Sequence, residues 1–253
     1  MTAAPPIAIP GSPSPPDDHV RAEWAGRVEA AYRSATFTHH LTLWLLQLGA
    51  PHDLVRTGLR LVEDGLTHAE LSADVYRAAG GLALPPLERD TLRLPRTADE
   101  PLERDLLRVV VEQTCLAKTV AVRILGSMQA QQNVPSVRQT LERMLRDERV
   151  HRDFGWTLLD WLLASPLSPT YRTQLQAELP AMLMKVKEQH GGLLLEHHGE
   201  KTLETSDREL SESTRGWGIL STLRRIAIVE EAFEQEFAPR FLALGIPISS
   251  SGS

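Results

Sequence analysis

Two stretches of this chain superimpose at a constant offset of 83 residues. Leu54 lies over Val137, Leu61 over Met144, Asp64 over Asp147 and His68 over His151, so that "DGLTH" falls on "DERVH". Each stretch carries a stripe at three- and four-residue steps. The first runs through positions 54, 58, 61, 65, 68 and 72, the second through 137, 141, 144, 148, 151 and 155. That spacing is the period of an α-helix with one inward face. A histidine recurring at one register on two such faces sends both rings toward one place in a bundle core. The alternative is two unrelated core histidines that share a register by chance. Glu148, three residues before His151, projects onto the same face, and burying it requires a cation or a hydrogen-bonding partner. Gly65 stands at the equivalent place in the first stretch and offers no side chain.

The rest of the chain reads as helix too. Leu, Ala, Glu and Arg dominate, aromatic residues make up only 5%, and strand-like runs are nearly absent, which predicts an all-α fold. Helix one is expected over about Val20–Leu48, with Trp24, Val28, Ala31, Ala35, Thr38, Leu41 and Leu45 on one face. "GAP" at 49–51 stops it and restarts the chain as helix two, about Pro51–Ala79, which Gly80 and Gly81 end. The proline-bearing connector "LALPPLERDTLRLPRTADEP" is long enough to return the chain to the opposite end of a bundle. Helix three is expected over Leu102–Gln131 and helix four over Pro135–Ala164. Two more helices follow near Thr170–Gln189 and Gly218–Leu244, separated by the polar loop "HHGEKTLETSDRELSESTRG". The expected organisation is a disordered Pro-rich tail over 1–20, a four-helix bundle over 21–164, C-terminal helices packed on it over 165–245, and a second disordered tail over 246–253.

Charge and composition exclude several function classes. A formal charge of −6 without a local Lys/Arg run argues against a nucleic-acid surface. No apolar run approaches the roughly 18 residues of a membrane span. The N-terminus has no basic stretch followed by an apolar core, as a secretory signal would, so a soluble, cytoplasmic protein is expected. The lone Cys115 excludes an internal disulfide. His39 with His40, and His190 with His197 and His198, lie on a helix flank and beside a glycine-rich loop, where solvated histidines are the simpler reading.

Several segments together resemble the ferritin-like superfamily, and more closely the ferritin-like domain proteins common among bacteria. "LLQLGAPHDLV" before "EDGLTHAEL" is similar to that family's linker and second helix, "EQTCLAKTVA" to its third and "DERVH" to its fourth. "WGILSTLRRIAIVEEAFEQEFAPRFLALG" is similar to its closing helix. The resemblance covers roughly Val28 to Gly245. It implies a four-helix bundle with a long crossover between helices two and three. It also implies a di-iron carboxylate centre, built from one Glu each on helices one and three and Glu-x-x-His on helices two and four. Carried over position by position, Glu148 and His151 match, and so does His68. Gly65 takes the place of the helix-two Glu, Lys118 that of the helix-three Glu, and Ala31 that of the helix-one Glu. Asp64 and Asp147 match the aspartates that stand behind the ligands.

Three of six ligands therefore remain, and Glu148 is the only carboxylate among them. Lys118 falls on the stripe Val111, Cys115, Lys118, Val122, Leu125, so it points inward and adds positive charge where metals would sit. Like charges at about 5 Å repel by several kcal/mol even at an effective dielectric near 20, which argues against a dinuclear iron centre. The simplest replacement is a Lys118–Glu148 pair, with the two histidines neutral and bonded to Asp64, Asp147 or each other. A second reading keeps His68, Glu148 and His151 as a two-His, one-carboxylate set for a single Fe or Zn. The leading expectation is a binding, assembly or accessory protein without cofactor, whose partner is a protein or small molecule, with a homodimer as one possible state. The alternative is a metal-dependent oxidoreductase or hydrolase.

Overall fold

The computed structural model describes residues 18–84, 86–94, 96–191 and 210–248. Among these residues all regular secondary structure is helical. In order the elements are α1 (Asp18–Gln47), α2 (His52–Ala78), a 3-10 turn (Arg89–Leu92), α3 (Leu102–Val109), a π-helical stretch (Val110–Leu116) and α4 (Ala117–Gln131). They continue with α5 (Pro135–Leu163), α6 (Ser168–Gln189), the short α7 (Glu212–Gly216), α8 (Thr222–Ala232), a second π-helical stretch (Phe233–Phe237) and α9 (Ala238–Ala243).

The face read on helix one is the buried face of α1: Trp24, Val28, Ala31, Ala35, Thr38, Leu41 and Leu45 are all buried. On α5 the six stripe positions from Val137 to Gly155 are buried as well. Pairings along the helices give the chain directions. Gly58 meets Thr42 and Gly65 meets Ala35, so α1 and α2 run antiparallel. Asp64 faces His151 and His68 faces Asp147, so α2 and α5 are antiparallel too. Thr114 lies on Gly155 and Lys118 on Glu148, which sets the α3–α4 helix antiparallel to α5. It follows that α2 and the α3–α4 helix run the same way, and the connector must carry the chain back along the molecule. Its 3-10 turn packs against α1. Its far end is tied down by buried Asp105, which accepts from Thr97 N at 3.0 Å and Thr97 Oγ1 at 2.7 Å and pairs with Arg96 and Arg108.

Several expectations need correction. Residues 18–20 belong to α1, with Val20 fully buried, so the tail ends earlier than position 20; residues 1–17 lie outside the described residues, as do 249–253. Ile246 is buried in the core, which moves the end of the ordered chain past 245. The last helix does not begin at Gly218. Residues 217–220 are buried but not helical, and α8 starts only after Ser221, whose Oγ accepts from Arg224 N at 3.1 Å. Gly218 holds φ of 78°, which glycine tolerates, and Trp217 O accepts from Trp24 Nε1 at 3.2 Å. This stretch therefore plugs one end of the bundle where a helix would have passed it by. Much of the expected polar loop, 192–209, lies outside the described residues, and its end folds as α7. The π-helical stretch in the third helix was not foreseen. An extra residue per turn rotates the face that follows, so Thr119, Val120, Ile124, Leu125 and Met128 are buried while Val122 is only partly so.

Candidate functional site

Midway along α2 and α5, each histidine reaches across to the aspartate of the other helix. His68 Nε2 lies 3.2 Å from Asp147 Oδ2, and His151 Nε2 lies 3.3 Å from Asp64 Oδ2. This exchange follows from the sequence echo: two copies of Asp-x-x-x-His on antiparallel helices bring each Asp level with the other's His. The rings stack at 5.7 Å between centroids with 26° between planes. Asp64, Asp147, His68, His151 and Glu148 are all buried. Arg143 closes the outer side, donating from Nε to Asp147 Oδ2 at 2.5 Å and from Nη2 to Asp64 Oδ1 at 3.3 Å.

With each Nε2 committed to an aspartate, both Nδ1 atoms face one oxygen. Glu148 Oε1 is 3.6 Å from His68 Nδ1 and 3.5 Å from His151 Nδ1. Lys118 Nζ donates to the same oxygen at 2.9 Å and to Ser34 Oγ at 2.9 Å. The pairing anticipated between Lys118 and Glu148 is thus present, and α1 adds Ser34. Glu148 Oε2 is buried without a hydrogen-bonding partner. Burial alone would raise the Glu148 pKa. The Lys118 charge, with the contacts to His151 and His68 behind it, outweighs it and holds the carboxyl well below its ordinary range. Asp147 is treated alike: burial pushes it up, and the hydrogen bonds from Arg143 and His68 bring it below its usual value. Three carboxylates here face three cationic side chains, Lys118, Arg143 and, at 3.6 Å from Asp147 Oδ1, Arg146, so the cluster is balanced from within.

The three positions that lack ligands differ in what they do instead. Lys118 supplies the cation. Gly65 is a crossing point: a Cβ there would stand 3.0 Å from Ala35 Cβ, 3.2 Å from its Cα and 3.3 Å from its N. Ala31 packs with Val28, Ala69 and Ala73 in a small-residue seam. On the α1–α2 side, therefore, the helices have closed over the space that acidic side chains would need. These residues do not fit a dinuclear metal centre. Among the described residues no group of three His, Cys, Asp or Glu side chains is arranged to hold a metal ion.

Two contributors escaped the sequence reading. Arg143 sits four residues before Asp147, a spacing that invites an ion pair, but nothing in the pattern showed that it would also reach Asp64. Ser34 carried no signal at all. Other candidates fall elsewhere. Cys115 is fully buried, and desolvation drives its thiol pKa up despite a hydrogen bond from Thr114, so Lys118 does not activate it. His39 is exposed and His40 partly so. His190 departs from the solvated reading: burial, with Arg225 nearby, lowers its pKa to about 4. His197 and His198 lie outside the described residues. Comparison with models of known families, with curated proteins and with solved structures found no match.

Proposed function

We propose that this chain is a ferritin-like bundle turned to a non-catalytic task, a binding, assembly or accessory protein in which an internal ion pair has taken the place of metals. One observation carries the reading: Lys118 Nζ sits 2.9 Å from Glu148 Oε1, the oxygen that both imidazoles face. Further support comes from the chain directions, with two antiparallel pairs joined by a long return connector, and from the reciprocal Asp–His bonds that the repeated motif requires. A covalently attached cation offsets the charge of the buried carboxylate, and it does so without the open coordination positions that oxygen chemistry needs.

A second reading has its own observation. Each histidine donates its Nε2 hydrogen to an aspartate, the arrangement that orients imidazole for a metal through the other nitrogen, and Glu148 Oε2 lacks a partner. Swinging Lys118 aside would free His68, Glu148 and His151 for one Fe or Zn. Elemental analysis of protein purified without added metal separates the two. The first reading expects metal well below one equivalent and a melting temperature indifferent to chelator. Stoichiometric Fe or Zn that disappears in His151→Ala would reject it in favour of the second. Iron uptake by Lys118→Glu, compared with the parent chain, tests whether this one position accounts for the loss; no gain would show that it does not.

A further inference from the structure

A groove of about 180 Å³ opens between α1 and the α3–α4 helix, and Lys118 lies at its wall. Phe37, Leu41 and Val109 give it apolar sides, while Arg33, Ser34, Thr38, Gln113, Thr114 and Lys118 line it as polar groups. The Thr38 and Thr114 hydroxyls donate to Ser34 O and Val110 O, Gln113 carries donor and acceptor alike, and the charge in the lining is all positive. Arg33 donates from Nη2 to Glu29, which leaves further guanidinium hydrogens unspent. The Lys118 ammonium has three hydrogens, of which Ser34 and Glu148 take two. Ser34 Oγ accepts from Lys118, and among the described residues nothing takes its own hydrogen. No acidic side chain lines the groove. The carboxylates that pair with these cations are set apart from it: Glu29 holds Arg33 from the same helix, and Glu148 holds Lys118 from α5.

We infer that this groove binds a small monocarboxylic acid with an apolar body, its carboxylate bridging Arg33, Ser34 and Lys118. The carboxylate offers about four acceptor sites to three donors that lack one, whereas an alcohol offers two and brings a donor of its own. Hydrogen bonds to an ionised group are about twice as strong as neutral ones, which favours the acid further. The size follows from the volume, since a cavity of about 150 Å³ accommodates a benzene ring. The body therefore amounts to one ring or a short alkyl chain lying against Phe37, Leu41 and Val109. Lys118 Nζ is already engaged by Glu148 and Ser34, so the ligand is held by charge and hydrogen bonds and is not joined to the amine. This inference rests on the proposed role as a binding protein and names what is bound.

The test is titration of the full chain, stripped of metal by chelator, with benzoate and hexanoate, each against its alcohol counterpart, benzyl alcohol and hexanol. The acids are expected to bind with a dissociation constant on the order of 1 mM or tighter, at least tenfold better than the alcohols. Arg33→Leu, which leaves the Lys118–Glu148 pair intact, is expected to weaken the acids at least tenfold. Ala121→Phe, which fills the groove one turn from Lys118, is expected to abolish binding while circular dichroism stays unchanged. Equal affinity for acid and alcohol would overturn the inference, as would unchanged affinity in either variant. Metal content measured on the same preparation before stripping separates the two proposals. Folded, metal-free protein that ignores both acids sinks the ligand and leaves the repurposed bundle standing. A stoichiometric metal lost in His151→Ala sinks the repurposed bundle, and the acid site falls with it.

Discussion

A double-mutant cycle on Lys118 and Glu148 tests whether the ion pair replaces metals as a structural element. The two side chains are 14% and 8% exposed, with Nζ and Oε1 2.9 Å apart. At an effective dielectric of about 20, unit charges at that distance attract by roughly 6 kcal/mol. Desolvating two ions opposes this by several kcal/mol, so the intact pair gives little net stability over an apolar pair of similar volume. Removing one member is different, because the other charge stays buried. In Lys118→Met the Glu148 carboxylate keeps only the two imidazoles, and in Glu148→Leu the ammonium keeps only Ser34. Each single change should then cost about 3 kcal/mol, toward the lower end for broken buried pairs because some partners survive. The double variant should be no worse than either single one, a coupling of about 3 kcal/mol. For a chain of this size 3 kcal/mol corresponds to a drop in melting temperature of about 6–12 °C. Urea unfolding of the four proteins at neutral pH and in chelator gives the coupling directly. Additive losses, with coupling under about 0.5 kcal/mol, would refute the argument and leave Lys118 as an ordinary surface-directed lysine.

Three further outcomes follow from the same geometry. Because Glu148 and Asp147 titrate below their ordinary values in the folded chain, their contribution to stability is complete above about pH 4.5, the unfolded carboxylate range, and is lost as pH falls toward the depressed values; acid unfolding of Glu148→Gln should show a shallower limb than the parent, and an identical limb would sink the assignment. Gly155→Ala should destabilise by about 3 kcal/mol by urea titration, although alanine is the better helix former by about 1 kcal/mol, because its Cβ would stand 2.7 Å from Thr114 Cβ and closer still to the Thr114 carbonyl; a neutral or stabilising result would mean that α5 does not press on the π-helical stretch. Cys115 should resist a thiol reagent at neutral pH in the folded chain and react fully in urea, since burial raises its thiol pKa; rapid labelling of native protein would contradict that.

What could be read from the sequence, and what could not, divides along physical lines. The inward stripes of α1 and α5 were legible because a buried helix face repeats every three to four residues whatever it packs against. The convergence of His68 and His151 was legible from the echo, and the exchange of their aspartates follows once the two helices are antiparallel. Helix three was read at its true ends but as one uniform stripe. A π-helical turn arises from how neighbours load the helix and leaves no periodic mark, so the shift of the buried face toward Thr119 and Val120 stayed hidden. "WGIL" was assigned to the closing helix because its residues are apolar and join a helical run. Ser221 is a capping residue in plain view, yet a capping serine is decisive only once something explains why the chain before it is not helix. That reason is tertiary: Trp217 carries the carbonyl that Trp24 needs, and it sits 193 residues away.

On the proposed reading, position 118 and positions 31 and 65 depart from a dinuclear site in two unlike ways, and the difference bears on whether such a site could be built here. On the α4–α5 side the change is one of charge. Lys118 Nζ lies 2.9 Å from Glu148 Oε1, so exchanging it for Glu would reverse the charge beside that oxygen. On the α1–α2 side the change is one of distance. Gly65 lets α2 lie against the backbone of Ala35, and Ala31 packs with Val28, Ala69 and Ala73. A side chain at position 65 would press on Ala35, and since two of the three nearest atoms are main chain, α1 itself would have to give by a few tenths of an ångström. Close packing makes such a shift costly at every contact along the seam. Charge at one position can therefore be reversed by a single substitution, whereas the second half of a dinuclear site cannot. On the proposed reading, therefore, Lys118→Glu is expected to admit at most one ion, with Glu148 and His151 of α5 and His68 of α2 as its candidate ligands, which metal analysis of that variant would check.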